Sequence, residues 1–409
     1  MKRLVLTLAL GLLAARPAAA QTDLFGRDTV SGFLDLRLGA ADGEASFLRS
    51  GFGKTQYSGA QSGVAARAEL DLAALAWRPE LADGLTAYIL VQNQPDQSHG
   101  IDLAESYLQY KPLIAGPVRY SLRGGLMWPP VSLEHDGAAW TTTRTLTPSA
   151  INTWVAEEVK VAALEGTLYG EIGEHRLSAT AAVFGNNDTS GTLLSYRGWA
   201  LHDIRATLFG TDPLPSGPPR FQAYAARPSL DLAGRPGGYA KLEWRPPAPI
   251  QLEVFYYDNA GDPHVFKDGQ WGWRTTFTDV GLTARPAKDV EILAQALTGR
   301  TYFGNHSAAG WYLDVDYSSA YLLATKVHGR NRFTLRADWF KTQDNVRHAE
   351  DRDERGWAAT ADYAFTLSRH FSLWVEALHV WSNRPARFRL GEPATDPQTV
   401  IQVALRAKL

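Results

Sequence analysis

The chain has 409 residues, with 41 Lys and Arg against 43 Asp and Glu, no Cys, and 45% hydrophobic residues. The lack of cysteine excludes disulfides, thiolate metal sites and a cysteine nucleophile, and with no basic tail or patch no nucleic-acid partner is expected. No apolar run after the amino terminus is long enough for a membrane helix, which excludes a helical membrane protein; a barrel, lipid-facing only at every other residue, is not excluded.

In chain order, Lys2-Arg3, the apolar run Leu4 to Leu13 and Ala18-Ala19-Ala20 read as a secretory signal cut before Gln21. Residues 1–20 are thus the signal peptide and 21–409 the mature chain. Removing Lys2, Arg3 and Arg16 from the 41 basic residues leaves 38 against 43 acidic ones, a net charge near −5. The first strand is predicted over Ser31 to Leu38, with Phe33 out of phase with Leu34, Leu36 and Leu38. A Gly/Ser-rich loop runs to about Ser62. The second strand puts Arg67, Glu69 and Asp71 on one face and Ala68, Leu70, Leu72 and Ala74 on the other. A third runs from Leu85 to Gln94.

Leu103 to Lys111 carries Glu105, Gln109 and Lys111 on one parity and Ala104, Leu108 and Tyr110 on the other. After a turn over Pro112 to Pro117, Arg119, Ser121 and Arg123 alternate with Val118, Tyr120, Leu122 and Leu126. Trp128-Pro129-Pro130 ends the pairing. A polar loop over 129–158 follows, carrying Glu134, His135, Asp136, Arg144, Glu157 and Glu158 beside Trp140 and Trp154. Lys160 to Ile172 and Arg176 to Phe184 form a hairpin, and the mismatched parity of Lys160, Glu165 and Glu171 predicts a bulge. The segment 186–237 is a long loop rich in Gly, Pro and Asp; its Asn186 to Gly191 run reads as a loop tip and Ile204 to Phe209 as an extra strand or lid.

Downstream, Lys241, Glu243 and Arg245 alternate with Ala240, Leu242 and Trp244, and further strands follow to Leu409. Their inward candidates are Lys326, Arg332, Arg336, Asp338, Asp362 and Glu376. About sixteen strands result, with connectors alternating between short and long, as in a transmembrane antiparallel β-barrel with short periplasmic turns and long outer loops. The even count puts both ends in the periplasm. Trp77-Arg78-Pro79, Tyr110-Lys111-Pro112, Trp244-Arg245-Pro246 and Ala284-Arg285-Pro286 each end a descending strand, as a barrel rim requires. A soluble β-protein would leave the Ala-rich apolar face poorly filled.

Glu105-Ser106-Tyr107-Leu108-Gln109-Tyr110 and Arg123-Gly124-Gly125-Leu126-Met127-Trp128-Pro129-Pro130-Val131-Ser132 resemble the porin O/P-like outer-membrane family, relatives of phosphate-selective porins. The resemblance covers one hairpin closely and the rest by strand rhythm. It implies a channel whose third outer loop, 129–158, folds inward as a constriction where a few opposed charges decide what passes. General porin resemblance also implies a homotrimer. Two departures stand out: the inward residues are mixed in sign where phosphate selection needs many lysines, and the chain ends in Leu409 where such barrels present an aromatic.

The pore-lining and constriction candidates are Arg67, Glu69, Asp71, Glu105, Arg119, Arg123, Glu134, Asp136, Arg144, Lys241, Glu243, Arg332, Arg336 and Asp338. Many of these would neutralise one another in cross-strand pairs. Asp314 and Asp316 share parity, but two carboxylates alone read as lumen solvation rather than a calcium site. No Gly-x-Ser-x-Gly, His-Glu-x-x-His or phosphate-cradling glycine loop occurs, so no enzyme, cofactor or metal is expected. The expected function is passive diffusion of small hydrophilic solutes or ions across a bacterial outer membrane, with membrane lipid and those solutes as partners. The alternatives are a barrel enzyme at the outer rim and a secreted soluble β-rich binding protein.

Overall fold

The structure is a computed structural model describing residues 24–26, 28–58, 63–95, 97–114, 116–215, 221–306, 310–346 and 352–409. The segment expected to be a signal peptide, residues 1–20, lies outside the described residues. Sixteen strands build one antiparallel barrel: β1 Val30–Ala41, β2 Ala65–Trp77, β3 Leu85–Asn93, β4 Asp102–Tyr110, β5 Val118–Met127, β6 Val161–Ile172, β7 His175–Gly185, β8 Gly237–Arg245, β9 Ile250–Asp258, β10 Arg274–Ala287, β11 Val290–Phe303, β12 Leu313–His328, β13 Asn331–Asp344, β14 Glu354–Thr366, β15 Phe371–Asn383 and β16 Thr395–Lys408. The short piece Glu80–Ala82 pairs only with β3. β1 closes on β16, from Phe33 opposite Lys408 to Ala41 opposite Val400, so every strand of the barrel has two neighbours and no edge is left open.

The two faces of the wall are set by alternation. On β1, Leu34, Leu36 and Leu38 are exposed outward while Phe33, Asp35 and Arg37 are buried inward. Outward residues such as Leu122, Leu164, Leu242, Leu322 and Leu335 extend this belt around the barrel. An apolar belt on a closed sheet is stable only in lipid, and the chain is accordingly a bacterial outer-membrane barrel.

Bulges fall where the expected parity breaks. Asp71 is the extra residue opposite the Asp35/Leu36 step of β1, so Leu72, expected to face lipid with Leu70, turns inward and is buried. A second shift opposite Leu90 and Val91 inserts Ala104, and a third spans Arg285-Pro286, where proline cannot donate to the ladder. The predicted bulge near Lys160 is absent: pairing through β6 is unbroken, because Lys160 precedes the strand and sends its ammonium to the Ala104 carbonyl at 2.5 Å. Lys326, expected inward, projects outward at the periplasmic rim, opposite in parity to buried Thr325.

The core lies inside the barrel. Inward Phe255, Tyr257, Phe277, Leu293, Leu297, Tyr317, Tyr321, Leu323 and Phe340 meet Ile151, Trp154 and Val155 from the third outer loop and Trp199 and Leu201 from the fourth. The inward face of β9 to β12 thus sets these apolar side chains, beside Glu253, Asp279 and Gln295, against this plug, while the outward face meets lipid. The 186–191 run is also packed rather than a loop tip: Asn187 and Asp188 are buried, and Asn187 accepts a hydrogen bond from the Tyr257 hydroxyl. Ile204 to Phe209 forms no strand; it runs extended inside the mouth, with Ala206 N–H bonded to the Ala156 carbonyl at 2.9 Å.

Candidate functional site

The third outer loop starts at Trp128 and descends along the inner wall. Its tip reaches the periplasmic half, where the Thr143 carbonyl accepts from Arg332 and the Thr142 carbonyl from Arg406 at 2.9 Å. Glu376 on β15 accepts the Leu146 and Thr147 N–H groups at 2.7 and 3.1 Å. The chain then climbs as helix α1, Ala150–Glu158, whose N-cap is Ser149 with its hydroxyl accepting from Asn152 N. All nine helix residues are buried. A short helix inside a barrel is held mainly by its apolar face, here Ile151, Trp154 and Val155 against the inward aromatics.

Arg336, Glu134 and Asp338 come together as the anchor of this loop. Arg336 donates to the Thr147 carbonyl at 2.6 Å, the Pro148 carbonyl at 3.0 Å, Glu134 at 3.3 Å and Asp338 at 2.8 Å. Glu134 in turn accepts from the Ser149 N–H at 2.9 Å and from Asn152 Nδ2 at 2.6 Å, while Asp338 accepts the Ala150 N–H at 3.2 Å. The side chains of all three are at most 1% exposed. They are sealed behind the loop instead of lining a pore, because a buried charge needs several bonded partners and the folded loop supplies them.

Asp71 and Glu105 are sealed as well. Asp71 lies 3.0 Å from Arg37, which also meets Asp35 at 2.6 Å and Asp203 at 2.7 Å. These three carboxylates come close enough to suit a cation, but the Arg37 guanidinium stands among them and Arg406 holds Asp35 at 2.8 Å, so part of their charge is already met by the protein. Glu105 is buried in the field of Lys160 and Arg123.

The remaining predicted residues touch solvent. Arg67 pairs with Glu69 and is 28% exposed; Arg123 holds Glu165 through two bonds of 3.0 Å and is 19% exposed. Lys241 meets Glu253 at 2.9 Å, and Glu243 meets Arg245 at 2.8 Å. Arg119, more than half exposed, stands 3.6 Å from Glu171. It lines a cavity of about 380 Å³ with Tyr169, Glu171, Arg176, Glu243 and Arg245 at the periplasmic ends of β5 to β8. On the loop itself, Arg144 bridges half-exposed Asp136 at 2.8 Å and Glu291 at 2.6 Å, and with Arg332 it borders a second cavity of about 200 Å³.

Sequence reasoning missed the fastening between outer loops. Glu157 is clamped by Arg197 at 2.5 Å and by His202 at 2.9 Å. Burial alone would raise its pKa, but Arg197 and His202 overrule it and hold it at about 2. Beside it, Glu158 accepts from Trp154 Nε1 and the Leu193 N–H, both at 2.8 Å; burial pushes it up to about 7. Lys54 from the first outer loop pairs with Glu354 and donates to the Trp199 carbonyl at 2.9 Å, and burial lowers it to about 7. Only the pairing of Glu157 with Glu158 at the end of an aromatic loop was visible in the sequence; Arg197 lies 40 residues away from its partner. The expected Asp314 and Asp316 pair lies near the outer rim, held by Arg300 at 2.7 and 3.9 Å.

No family model and no curated protein match the sequence. Solved outer-membrane structures do match in fold. The chain is similar to the outer membrane channel DcaP of Acinetobacter baumannii (9% identity, TM-score 0.56, 94% of this chain and 99% of that one). It is also similar to the anion-selective porin of Comamonas acidovorans (13%, 0.53, 93% and 99%). A third likeness is to OmpT of Vibrio cholerae in its trimer form (8%, 0.50, 93% and 99%). At such identities the likeness establishes the fold alone, that of an outer-membrane barrel of porin type.

Proposed function

We propose that the chain is a porin through which small hydrophilic solutes and ions diffuse passively, with the third outer loop as a fixed narrowing element. One observation carries this reading. Inward charges that still touch solvent, among them Arg67, Arg119, Arg123, Lys241 and Glu243, stand on β2 and on β5 to β8, while the loop's own Asp136 and Arg144 touch solvent beside Glu291 of β11. The wall of β12 to β16 is covered by the loop and carries sealed charges and apolar side chains. A polar, wet strip of wall beside a loop packed into the lumen is the arrangement a passive eyelet needs. Because nearly every cation in the strip has a carboxylate within 4 Å, discrimination between ions is weak. No enzymatic role is proposed, and assembly as a homotrimer is proposed from the fold alone.

Planar-bilayer recording on refolded protein tests this. The expected result is a stable ohmic conductance with a reversal potential near zero in a salt gradient. Complete absence of conductance from correctly folded barrels would overturn the reading.

A further inference from the structure

Strand register builds a two-tier pattern on the outward face of β11 to β15. One row runs Thr298, Ser318, Lys341, Arg355 and Asn383, each directly opposite the next across the ladder. The row below it, toward the periplasm, runs Ala296, Ala320, Trp339, Trp357 and Trp381 in the same register. Both rows face outward, since the intervening Phe340, Thr342, Gly356 and Ser382 are buried inward. Trp339 and Trp357 are nearly half exposed, and Leu322 and Leu335 continue the apolar belt beneath them.

The height of the rows follows from strand geometry. Phe333 and Tyr363 meet in a tilted pair, ring centroids 5.1 Å apart, near the periplasmic rim. Lys341 lies ten residues beyond Asn331 at the periplasmic end of β13, about 25 Å higher for a strand rising ~3.3 Å per residue at a tilt of ~40°, which is about the height of the apolar band of such a barrel. The cations therefore stand at the headgroups of the outer leaflet and the tryptophans just below, where indoles partition.

Charge at this level is uncompensated among the described residues. Arg300, one row higher, is occupied by Asp314 at 2.7 Å. Lys341 donates to Gln343 at 3.0 Å and has no carboxylate within 4 Å among the described residues, and neither has Arg355. Asp353, the next outward position above Arg355, instead accepts the Asp344 N–H at 2.8 Å. Two like charges directly opposite on neighbouring strands repel unless an anion lies between them.

We propose that Lys341 and Arg355, above the Trp339–Trp357–Trp381 row, form an outer-surface binding site for a phosphorylated glycolipid of the outer leaflet. The phosphate sits between the ammonium and the guanidinium. Asn383, Ser318 and Thr298 bond sugar hydroxyls, and the upper acyl chains lie against the indoles.

The test is native mass spectrometry of the purified barrel in detergent, titrated with bisphosphorylated lipid A, with its dephosphorylated form and with phosphatidylglycerol. Wild-type protein is expected to bind the bisphosphorylated lipid about thirtyfold more tightly than the dephosphorylated one, two cation–phosphate attractions being lost. The double substitution Lys341→Gln/Arg355→Gln should remove that preference, whereas Lys326→Gln, at the opposite rim, should not. Equal binding of the two lipid A forms, or a preference untouched by the double substitution, overturns the site. Binding of phosphatidylglycerol as tight as that of lipid A overturns the glycolipid assignment. Barrel formation is checked by heat-modifiable mobility. If the double variant does not fold, the wild-type phosphate comparison and Arg355→Gln alone decide.

Discussion

Arg336 on β13 donates to the Thr147 carbonyl at 2.6 Å, and with this bond a charge that alternation points into the lumen fastens a loop across it. The same guanidinium reaches Glu134 and Asp338, so wall and loop share one buried network. Arg336→Met removes the cation and leaves two buried carboxylates unpaired, a loss on the order of 3–5 kcal/mol. The loop should detach while the ladder stays paired. The expected outcome is a larger and noisier single-channel conductance together with a lower thermal transition on gels. Conductance identical to wild type would mean that the loop does not limit the current.

Deleting Asp136 to Thr147 should also raise conductance, but heat resistance should fall with it. A loop outside the ladder would ordinarily be removable at little cost, yet this segment covers Arg336, Glu376 and Arg406, and its Leu146 packs on Trp374. Exposing them leaves buried charges without partners and apolar surface without cover. The sixteen strands should still close, as circular dichroism of the refolded protein would report. Heat resistance equal to wild type would show that the plug adds no stability.

The barrel itself was legible because lipid imposes a strict rule: Leu34, Leu36 and Leu38 against Asp35 and Arg37 can be read within nine residues. What lay inside was not. Glu134 and Arg336 are 202 residues apart, and nothing local pairs them. Phe255, Tyr257 and Phe277 face inward where a water-filled lumen calls for polar residues, and their place is explained only once α1 is seen against them. Parity failed at Asp71 because one inserted residue flips every side chain after it. The charges of the open wall, Arg67, Arg123 and Lys241, were placed by alternation alone, since their partners sit on the same or adjacent strands.

The fastening of the third loop to the fourth should depend on pH through Glu158. Its folded pKa of about 7 lies above the ordinary value of 4.5. A carboxyl raised in the folded state contributes its full stability below the unfolded value. That contribution is lost as pH rises from about 4.5 through 7, on the order of 3 kcal/mol in all. Channel noise from loop movement should accordingly grow between pH 5 and 8. Glu158→Gln, which keeps the shape without the charge, should flatten this dependence. If the variant retains the wild-type pH profile, Glu158 is not the titrating group.

Topology can be read from the surface. Single cysteines at exposed Arg49, His99 and His306 in outer loops should react with a bulky impermeant thiol reagent on whole cells. Cysteines at Asp83, Glu174 and Arg330 in the short turns should react only after the outer membrane is opened. The long loops must be outside if both ends of an even-stranded barrel are periplasmic. The reverse labelling pattern would invert the barrel.

Charge at the loop tip provides the most direct probe of the eyelet. Arg144 holds Asp136 at 2.8 Å and Glu291 at 2.6 Å, and its side chain is 12% exposed, so its field is only partly screened. Arg144→Glu changes the local charge by two and sets a third carboxylate beside those two acids. The eyelet should then draw cations, and the reversal potential in a salt gradient should move in their favour. Screening shortens to about 3 Å at 1 M salt and extends to about 30 Å at 0.01 M, so the shift should be largest in dilute salt and small in concentrated salt. Arg144→Gln should produce roughly half of it. If neither variant moves the reversal potential at any salt concentration, the tip lies off the ion path. Selectivity would then rest with Arg119, Arg123 and Lys241 on the wall, and the same measurement on Arg123→Gln would locate it.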